Sequence, residues 1–426
     1  MDMNSVMYFI KLMKKGINSF HEISKEILTL DLLEIYNLML QKNTTEICNF
    51  WTKKAMKNYL SFFHPLYPVW TKAVYSFSSK DDKINYIFFN DRTNRFPWII
   101  IQMRSAIDFI LVEDKIIRFP YSDNIFDISS LESLSSEVFK YREVDFGFII
   151  NHPTPWHFFY DKLCYCMNIQ CDKKILDYNL FYIPNKLKNR LSSDKNLVYI
   201  YPHTVSIHSV ENQYVREIDI SREEIYKEIK QYDKFFDFDL RNNNIIIWIG
   251  MVWRNGEMKT WLNQFEAIYL VLKELQKSYK NICVYIDGNR SYENNFMSNN
   301  LDPLILPFIN KLKKVATEVI SLNNLSIKKA SVYCLKADIF ISEAGSGAIL
   351  PVLLCKKSGV LYGMRDYILK HSNVCMPNQF VKKIDINYVK SSHTGRFGSN
   401  YYIPWQHIYN LTAEVLEELS AAGKLK

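Results

Sequence analysis

Apolar positions change their period along this chain, and each change marks a different kind of structure. Over residues 1–62 the period is helical. Ile23, Ile27, Leu28, Leu30, Leu32, Leu33, Ile35, Leu38 and Leu40 recur at helical spacing, with no Gly or Pro between Phe20 and Lys42. The pattern predicts N-terminal helices. Short apolar runs with polar breaks follow: Asn85-Tyr-Ile-Phe-Phe, Pro97-Trp-Ile-Ile-Ile-Gln-Met, Asp108-Phe-Ile-Leu-Val and Lys115-Ile-Ile-Arg-Phe. These read as successive strands. Phe146-Gly-Phe-Ile-Ile is another, leading through prolines into a helix over 156–167, and Leu197-Val-Tyr-Ile-Tyr closes this half. A charged helix over 221–232 and a polar stretch through Asn244 separate it from the rest.

From Ile245 the pattern alternates regularly. Strands are predicted at 245–249, 282–286, 318–322, 338–341 and 358–362, with helices at 264–279, 303–316, 326–335 and 349–355. Alternation of this kind predicts a parallel sheet covered by helices. Ligands of such sheets sit beyond the carboxyl ends of the strands. The chemistry-bearing residues fall at those ends. Arg254 and Lys259 follow the first strand, Asp287 and Arg290 the second, and Glu343-Ala-Gly345-Ser346-Gly347 the fourth.

The last segment is the most informative. A strand runs into a small-residue turn that opens an apolar helix, so backbone N–H groups and a positive helix end face the space above the strand. That geometry suits an anion, phosphate above all. Small residues let the ligand approach the backbone. Glu343 either accepts hydrogen bonds from a sugar hydroxyl or caps the helix, and Asp287 either binds a hydroxyl or ends its strand.

Bulk numbers narrow the class. At 426 residues, two domains are expected. No apolar run reaches the roughly 18 residues of a membrane span. Lys11, Lys14 and Lys15 follow the first apolar residues, the reverse of a secretory signal's charge order. The expectation is a cytoplasmic protein. The net charge of +8 suits nucleic acid, an anionic membrane or phosphorylated substrates. The bases are scattered among acids, which argues against nucleic acid. Lys186, Lys188 and Arg190 form one cluster, read either as a solvated loop or as an attachment to acidic lipid. Cys164, Cys166 and Cys171 match no zinc spacing well, while Cys283, Cys334 and Cys355 sit in apolar patterns as buried thiols do. No metal site is expected.

The second half resembles the donor domain of GT-B-type glycosyltransferases, in particular bacterial enzymes of lipopolysaccharide, O-antigen and capsule synthesis such as the heptosyltransferases. The resemblance rests on Glu257-Met-Lys259-Thr-Trp261 before a long helix, on Ile341-Ser-Glu343-Ala-Gly-Ser346-Gly347, and on Gly359-Val-Leu-Tyr-Gly363. It spans residues 245–363. It implies an α/β, GT-B-like fold of two Rossmann-like domains around a cleft, here with extra N-terminal helices. The domains would be 1–62 (helices), 63–240 (acceptor side), 241–395 (nucleotide-sugar donor) and 396–426 (a helix packing back toward the first domain). It also implies sugar transfer from a nucleotide-sugar co-substrate to a glycan or glycolipid acceptor. No further cofactor and no obligatory metal are implied. The protein's place would be the cytoplasm, at the inner face of the inner membrane, with peripheral contact to anionic lipid. Asp237-Phe-Asp239 spells a metal motif but lies in the polar connector.

The residues for the chemistry follow. Diphosphate contacts fall to Arg254, Lys259, Gly345, Ser346 and Gly347, with Asp287 and Glu343 for hydroxyls. A base must take the acceptor's proton, and Asn151-His152-Pro-Thr-Pro-Trp156-His157-Phe-Phe-Tyr160-Asp161 follows a strand. His157 and Asp161 share one helix face at i,i+4, and a carboxylate there would fix the imidazole's tautomer. His152 is the second candidate, and a helix start with His157 packed under the sheet is the plainer reading. His203 and His208 read as surface positions, and Arg396, between glycines, as a base that reaches the site. Two other functions fit the same pattern: a nucleotide-sugar epimerase, and a non-catalytic subunit that binds nucleotide sugar or glycan.

Overall fold

In the computed structural model the apolar runs between Ser61 and Arg118 are joined by turns too short for crossovers, so the chain folds back and forth there. The structure describes residues 7–8, 10–12, 21–122, 131, 135–205, 216–233, 245–251, 259–293, 302–371, 380–392 and 398–425. They fall into two units, Met1–Ser221 and Arg222–Lys426.

The first unit is built on seven strands: β1 (His21–Ile23), β2 (Ser61–Phe63), β3 (Trp70–Ser78), β4 (Asn85–Asn90), β5 (Trp98–Gln102), β6 (Phe109–Val112) and β7 (Lys115–Arg118). Their order is β1-β7-β6-β5-β4-β3-β2, antiparallel except where β1 joins β7 in parallel. Both faces are apolar. Tyr86 and Phe88 of β4 enter a cluster with Val74, Ile99, Ile101, Phe109 and Leu111. Phe89, on the opposite face, stacks on Trp98 at 4.2 Å and meets Phe62. Phe50 of the helix Thr44–Ala55 closes on Phe62 from above.

A smaller parallel sheet completes the unit: β8 (Phe146–Phe148), β9 (Ile175–Leu176), β10 (Leu191–Ser192) and β11 (Val198–Ile200), in the order β10-β9-β8-β11. The outer edge of β11 is capped by side chains of the large sheet. Ser76 Oγ accepts from Tyr199 N at 2.7 Å, and Asn85 Nδ2 donates to Tyr199 O at 2.9 Å. Gln102 accepts from Tyr201 N at 2.8 Å and donates to Tyr201 O at 3.1 Å. Buried amides thus satisfy backbone groups that an open edge leaves bare.

Here the expectation of a first Rossmann-like domain is corrected. From β2 to β7 the breaks between strands run from residues 113–114 at the shortest to 91–97 at the longest, and parallel pairing needs a dozen or more. The all-helical reading of 1–62 is corrected as well. Helices Leu30–Leu40 and Thr44–Ala55 form, but His21–Ile23 becomes β1 because the edge of β7 offers it backbone partners. Ser61–Phe63 becomes β2.

The second unit follows the alternating pattern. Its strands are β12 (Ile245–Ile249), β13 (Ile282–Ile286), β14 (Glu318–Ser321), β15 (Ile339–Glu343), β16 (Ser358–Tyr362) and β17 (Val381–Lys383). All pair in parallel, in the order β14-β13-β12-β15-β16-β17. Counted within the unit that order is 3-2-1-4-5-6, the doubly wound arrangement whose switch point lies between β12 and β15. The division at Ser221 falls inside the helix Arg216–Asp233, ahead of the boundary expected at 240. The C-terminal helix Trp405–Ala421, expected to turn back toward the first domain, packs within the second unit on Gln264–Leu275, β16 and β17. Lys382 of β17 reaches Glu414 and Glu418 on it, at 2.8 and 2.6 Å.

Candidate active site

The chain after β12 and the turn after β15 flank the switch point. β12 ends at Ile249, and a Cβ on the next residue, Gly250, would collide with the Ser342 side chain. Tyr362 Oη donates to Gly250 O at 2.5 Å and fixes that strand end from β16. Across the switch point, Gly345 has φ +134° and ψ −138°, a backbone region open only to glycine. Ser346–Ala348 form a single 3-10 turn and Ile349–Leu354 a π-helical one. An α-helix was expected here. Pro351 has no N–H to give to Gly347 O, and Ser342 Oγ donates to that carbonyl at 2.9 Å instead.

Lys259 comes to the same strand ends. Its backbone has φ +54°, unusual for a side-chain-bearing residue. Gly398 O accepts its N–H at 2.9 Å, and residues 260–262 continue the pairing through Tyr401 N to Thr260 O and Leu262 N to Tyr401 O. Trp261 is fully buried against Tyr362, with ring centroids 4.7 Å apart. Lys259 Nζ donates to Tyr367 Oη at 3.0 Å. The edge of the Tyr367 ring lies 3.6 Å from where a Cβ on Gly345 would stand. Lys259 and the Gly345 turn therefore share one neighbour.

The other expected donor-side residues are placed as follows. Glu343 ends β15, buried, its side chain between Gly347 and Gly363. Ser346 is exposed. Asp287 lies on the same carboxyl edge, after β13, but is buried in an ion pair with Arg290, whose guanidinium also donates to Leu322 O at 2.7 Å. Burial pushes the Asp287 carboxyl up, and Arg290 opposes that shift. The pair ties the end of β13 to the end of β14. Arg254, Arg396, His208, the Asp237-Phe-Asp239 motif and Cys375 lie outside the described residues.

In the first unit, two adjacent parallel strands, β8 and β11, end in histidine-bearing segments. Pro155 opens a helix whose second turn, Phe158–Leu163, is π-helical, a feature frequent at functional sites. His157 Nδ1 and Asp161 Oδ2 are 2.5 Å apart; the His157 side chain is 25% exposed and that of Asp161 3%. With Asp161 as carboxylate, Nδ1 carries the proton and Nε2 the lone pair. His152 lies beside it, ring centroids 4.6 Å apart. Its Nδ1 accepts from Thr154 N at 3.1 Å, so its proton sits on Nε2. Burial, with Lys162 and His157 nearby, lowers its pKa far below the histidine range.

Two further groups join this cluster. Lys162 is fully buried, donates to Asn151 O at 2.7 Å and lies 3.2 Å from the centroid of the Tyr201 ring. Burial lowers its pKa well below the usual lysine value, with Asp161 and Asp82 pulling the other way. His203, expected at the surface, is buried. Its Nδ1 meets the Asp161 carbonyl at 2.5 Å, and its own carbonyl accepts from Trp51 Nε1 at 3.1 Å. Burial above all brings its pKa down to about 3. A signal for His203 existed: it stands just past a strand end, as His152 does. Arg190, from the basic cluster read either as a solvated loop or as a lipid attachment, donates to Lys173 O at 2.9 Å.

Among the described residues no helix is long and apolar enough to cross a membrane. No protein-family model matches the chain, and no curated protein matches it. Among solved structures it is similar to ADP-heptose lipopolysaccharide heptosyltransferase II of E. coli, at 10% identity over 56% of this chain and 60% of that one, with a TM-score of 0.32. It is also similar to a family 9 glycosyl transferase of Veillonella parvula, at 12% over 48% and 53%, TM-score 0.29. A third is E. coli heptosyltransferase WaaC with ADP, at 13% over 53% and 61%, TM-score 0.30. Each match spans less than two thirds of the other protein, and overlaps this loose lend no weight to any assignment of activity.

Proposed function

We propose that this chain is a glycosyltransferase that moves a sugar from a nucleotide-sugar donor to a glycan or glycolipid of the bacterial cell surface. The observation that carries the reading is the convergence of Lys259 and the Gly345–Gly347 turn at the switch point of a 3-2-1-4-5-6 parallel sheet. That is where doubly wound sheets hold nucleotides. A lysine and backbone N–H groups there suit a departing diphosphate. The sequence motifs around Lys259, Glu343 and Gly363 support the same class.

In this reading the base is His157. His157 Nε2 takes the acceptor's hydroxyl proton as that oxygen bonds to the anomeric carbon. The bond from that carbon to the diphosphate oxygen breaks, and the diphosphate leaves with its electron pair. Lys259 and the turn hold the charge. Asp161 keeps the imidazole in the required tautomer. Of the sequence candidates, His157 and Asp161 are assigned to this step and His152 to its neighbourhood.

A thermal-shift screen of the full chain against UDP-, GDP-, ADP- and CMP-linked sugars tests the reading, since a ligand that favours the native state raises its melting point. One class should stabilise the protein, and its sugar should then be released only when an acceptor is added. No stabilisation by any of the four would overturn the proposal. Epimerisation of the donor without acceptor would replace it with an isomerase.

A further inference from the structure

The second unit holds an aromatic residue that no motif singled out and that touches both halves of the proposed anion site. Tyr367 stands in the short helix Arg365–His371, after β16. Its hydroxyl accepts from Lys259 Nζ at 3.0 Å, and Lys259 Nζ lies 5.1 Å from its ring centroid. Two ring carbons, Cε2 and Cδ2, lie 3.6 and 3.8 Å from the Cβ position of Gly345, and Tyr367 Cβ is 3.5 Å from that of Gly363. The ring therefore rests against the turn, while its hydroxyl holds the lysine.

A lysine side chain has four rotatable bonds and loses rotamer entropy whenever its ammonium is held in one place. Left in water above a sheet, its ammonium would sample many positions. Here it is restrained from both ends. The backbone is held in a left-handed conformation by Gly398 O, and the ammonium is directed by Tyr367. Strain at a side-chain-bearing residue persists where surrounding contacts over-determine it, and it concentrates at functional sites.

We infer that Tyr367 is a positioning residue for nucleoside diphosphate binding: its hydroxyl fixes Lys259 over the Gly345–Gly347 turn. The inference rests on the nucleotide-sugar reading above and names a part of that site the motifs do not contain. Tyr367 acts through Lys259, which is what a test must isolate.

The test is a double-mutant cycle on the full chain, read by titration calorimetry with ADP, GDP and UDP as probes. Tyr367→Phe keeps the ring against Gly345 and removes only the hydroxyl. It should weaken the diphosphate that binds wild type by about tenfold, the size of one hydrogen bond to a charged group. Lys259→Ala should weaken it further, and adding Tyr367→Phe to that background should change little, because coupled residues are not additive. A merely structural tyrosine would give multiplying losses, and that result, or an unchanged affinity in Tyr367→Phe, overturns the inference. Tyr367→Leu, which removes the ring as well, tells packing from positioning: in the Lys259→Ala background it should cost melting temperature but little further affinity. If none of the three probes binds wild type, the diphosphate reading falls and this inference with it. If one binds and the cycle is additive, only the inference falls.

Discussion

Ser342 donates its hydroxyl to the carbonyl of Gly347 at 2.9 Å, and the cause lies four residues on. In an α-helix the N–H of residue 351 would satisfy that carbonyl, but residue 351 is proline. The strand end thus supplies the hydrogen bond that the helix start lacks. Ser342→Ala should destabilise the second unit by about 1–2 kcal/mol. The loss should shrink in a Pro351→Ala background, where the backbone N–H returns. Urea unfolding of the four proteins measures the coupling, and equal losses in both backgrounds would refute it.

Much of the second unit was legible because a parallel strand buried on both faces reads as an unbroken apolar run. Ile245-Ile-Ile-Trp-Ile and Ile282-Cys-Val-Tyr-Ile are of that kind. β17, Val-Lys-Lys on the sheet edge, has no such run and was passed over. The first unit misled for another reason. The runs of β4 to β8 and β11 read as strands, but their pairing depends on the length of the breaks between them; β1 and β2 fall in the stretch read as helical, and β3 has no clean alternation along Trp70–Ser78. At the sites, the His157–Asp161 pair followed from spacing alone. Lys162, His203 and Tyr367 did not, because their roles come from contacts across distant parts of their own unit. His203 meets residue 161 and Tyr367 meets residue 259, and no local period encodes either.

Three histidines of the first unit are buried in their neutral form. Burial brings His64 down to about 4 and His203 to about 3, and pushes His152 lower. In the unfolded chain each titrates near 6.5. Between that value and the folded pKa the unfolded state binds more protons, so stability is full above pH 6.5 and falls as the pH drops. Each group contributes a slope of about 1.4 kcal/mol per pH unit. Denaturant midpoints between pH 7 and 4.5 should decline, and His64→Gln should make the decline shallower. A flat profile would show that these rings accept protons without unfolding.

Gln102 fills all of its hydrogen-bonding capacity while buried. Its oxygen accepts from Tyr201 N at 2.8 Å and Asn85 Nδ2 at 3.2 Å, and its amide donates to Ala106 O at 2.7 Å and Tyr201 O at 3.1 Å. Gln102→Leu leaves several of these groups without partners and should cost about 3 kcal/mol. Gln102→Glu keeps the acceptor and loses both donors. Both should lower the melting temperature of the first unit, and a neutral outcome for Gln102→Leu would mean that the edge of β11 is satisfied elsewhere.

The sharpest prediction concerns Asp161. Its carboxylate is almost wholly buried and accepts from His157 Nδ1, which leaves Nε2 as the basic atom. Asp161→Asn preserves size, but the amide can present its NH2 group to Nδ1. The proton then moves to Nε2, and the ring can no longer take one from an acceptor. Transfer should fall by about 10²- to 10⁴-fold, the range attributed to a positioned general base. The donor's dissociation constant should stay within twofold of wild type, because Asp161 is assigned to the proton transfer and not to the diphosphate. His157→Ala should lose a similar factor, and the double variant little more, since residues that act as one unit do not add. Single-turnover rates together with donor affinity separate the outcomes. An Asp161→Asn enzyme that keeps a third of the wild-type rate would remove His157 from the chemistry and leave the cluster a structural one.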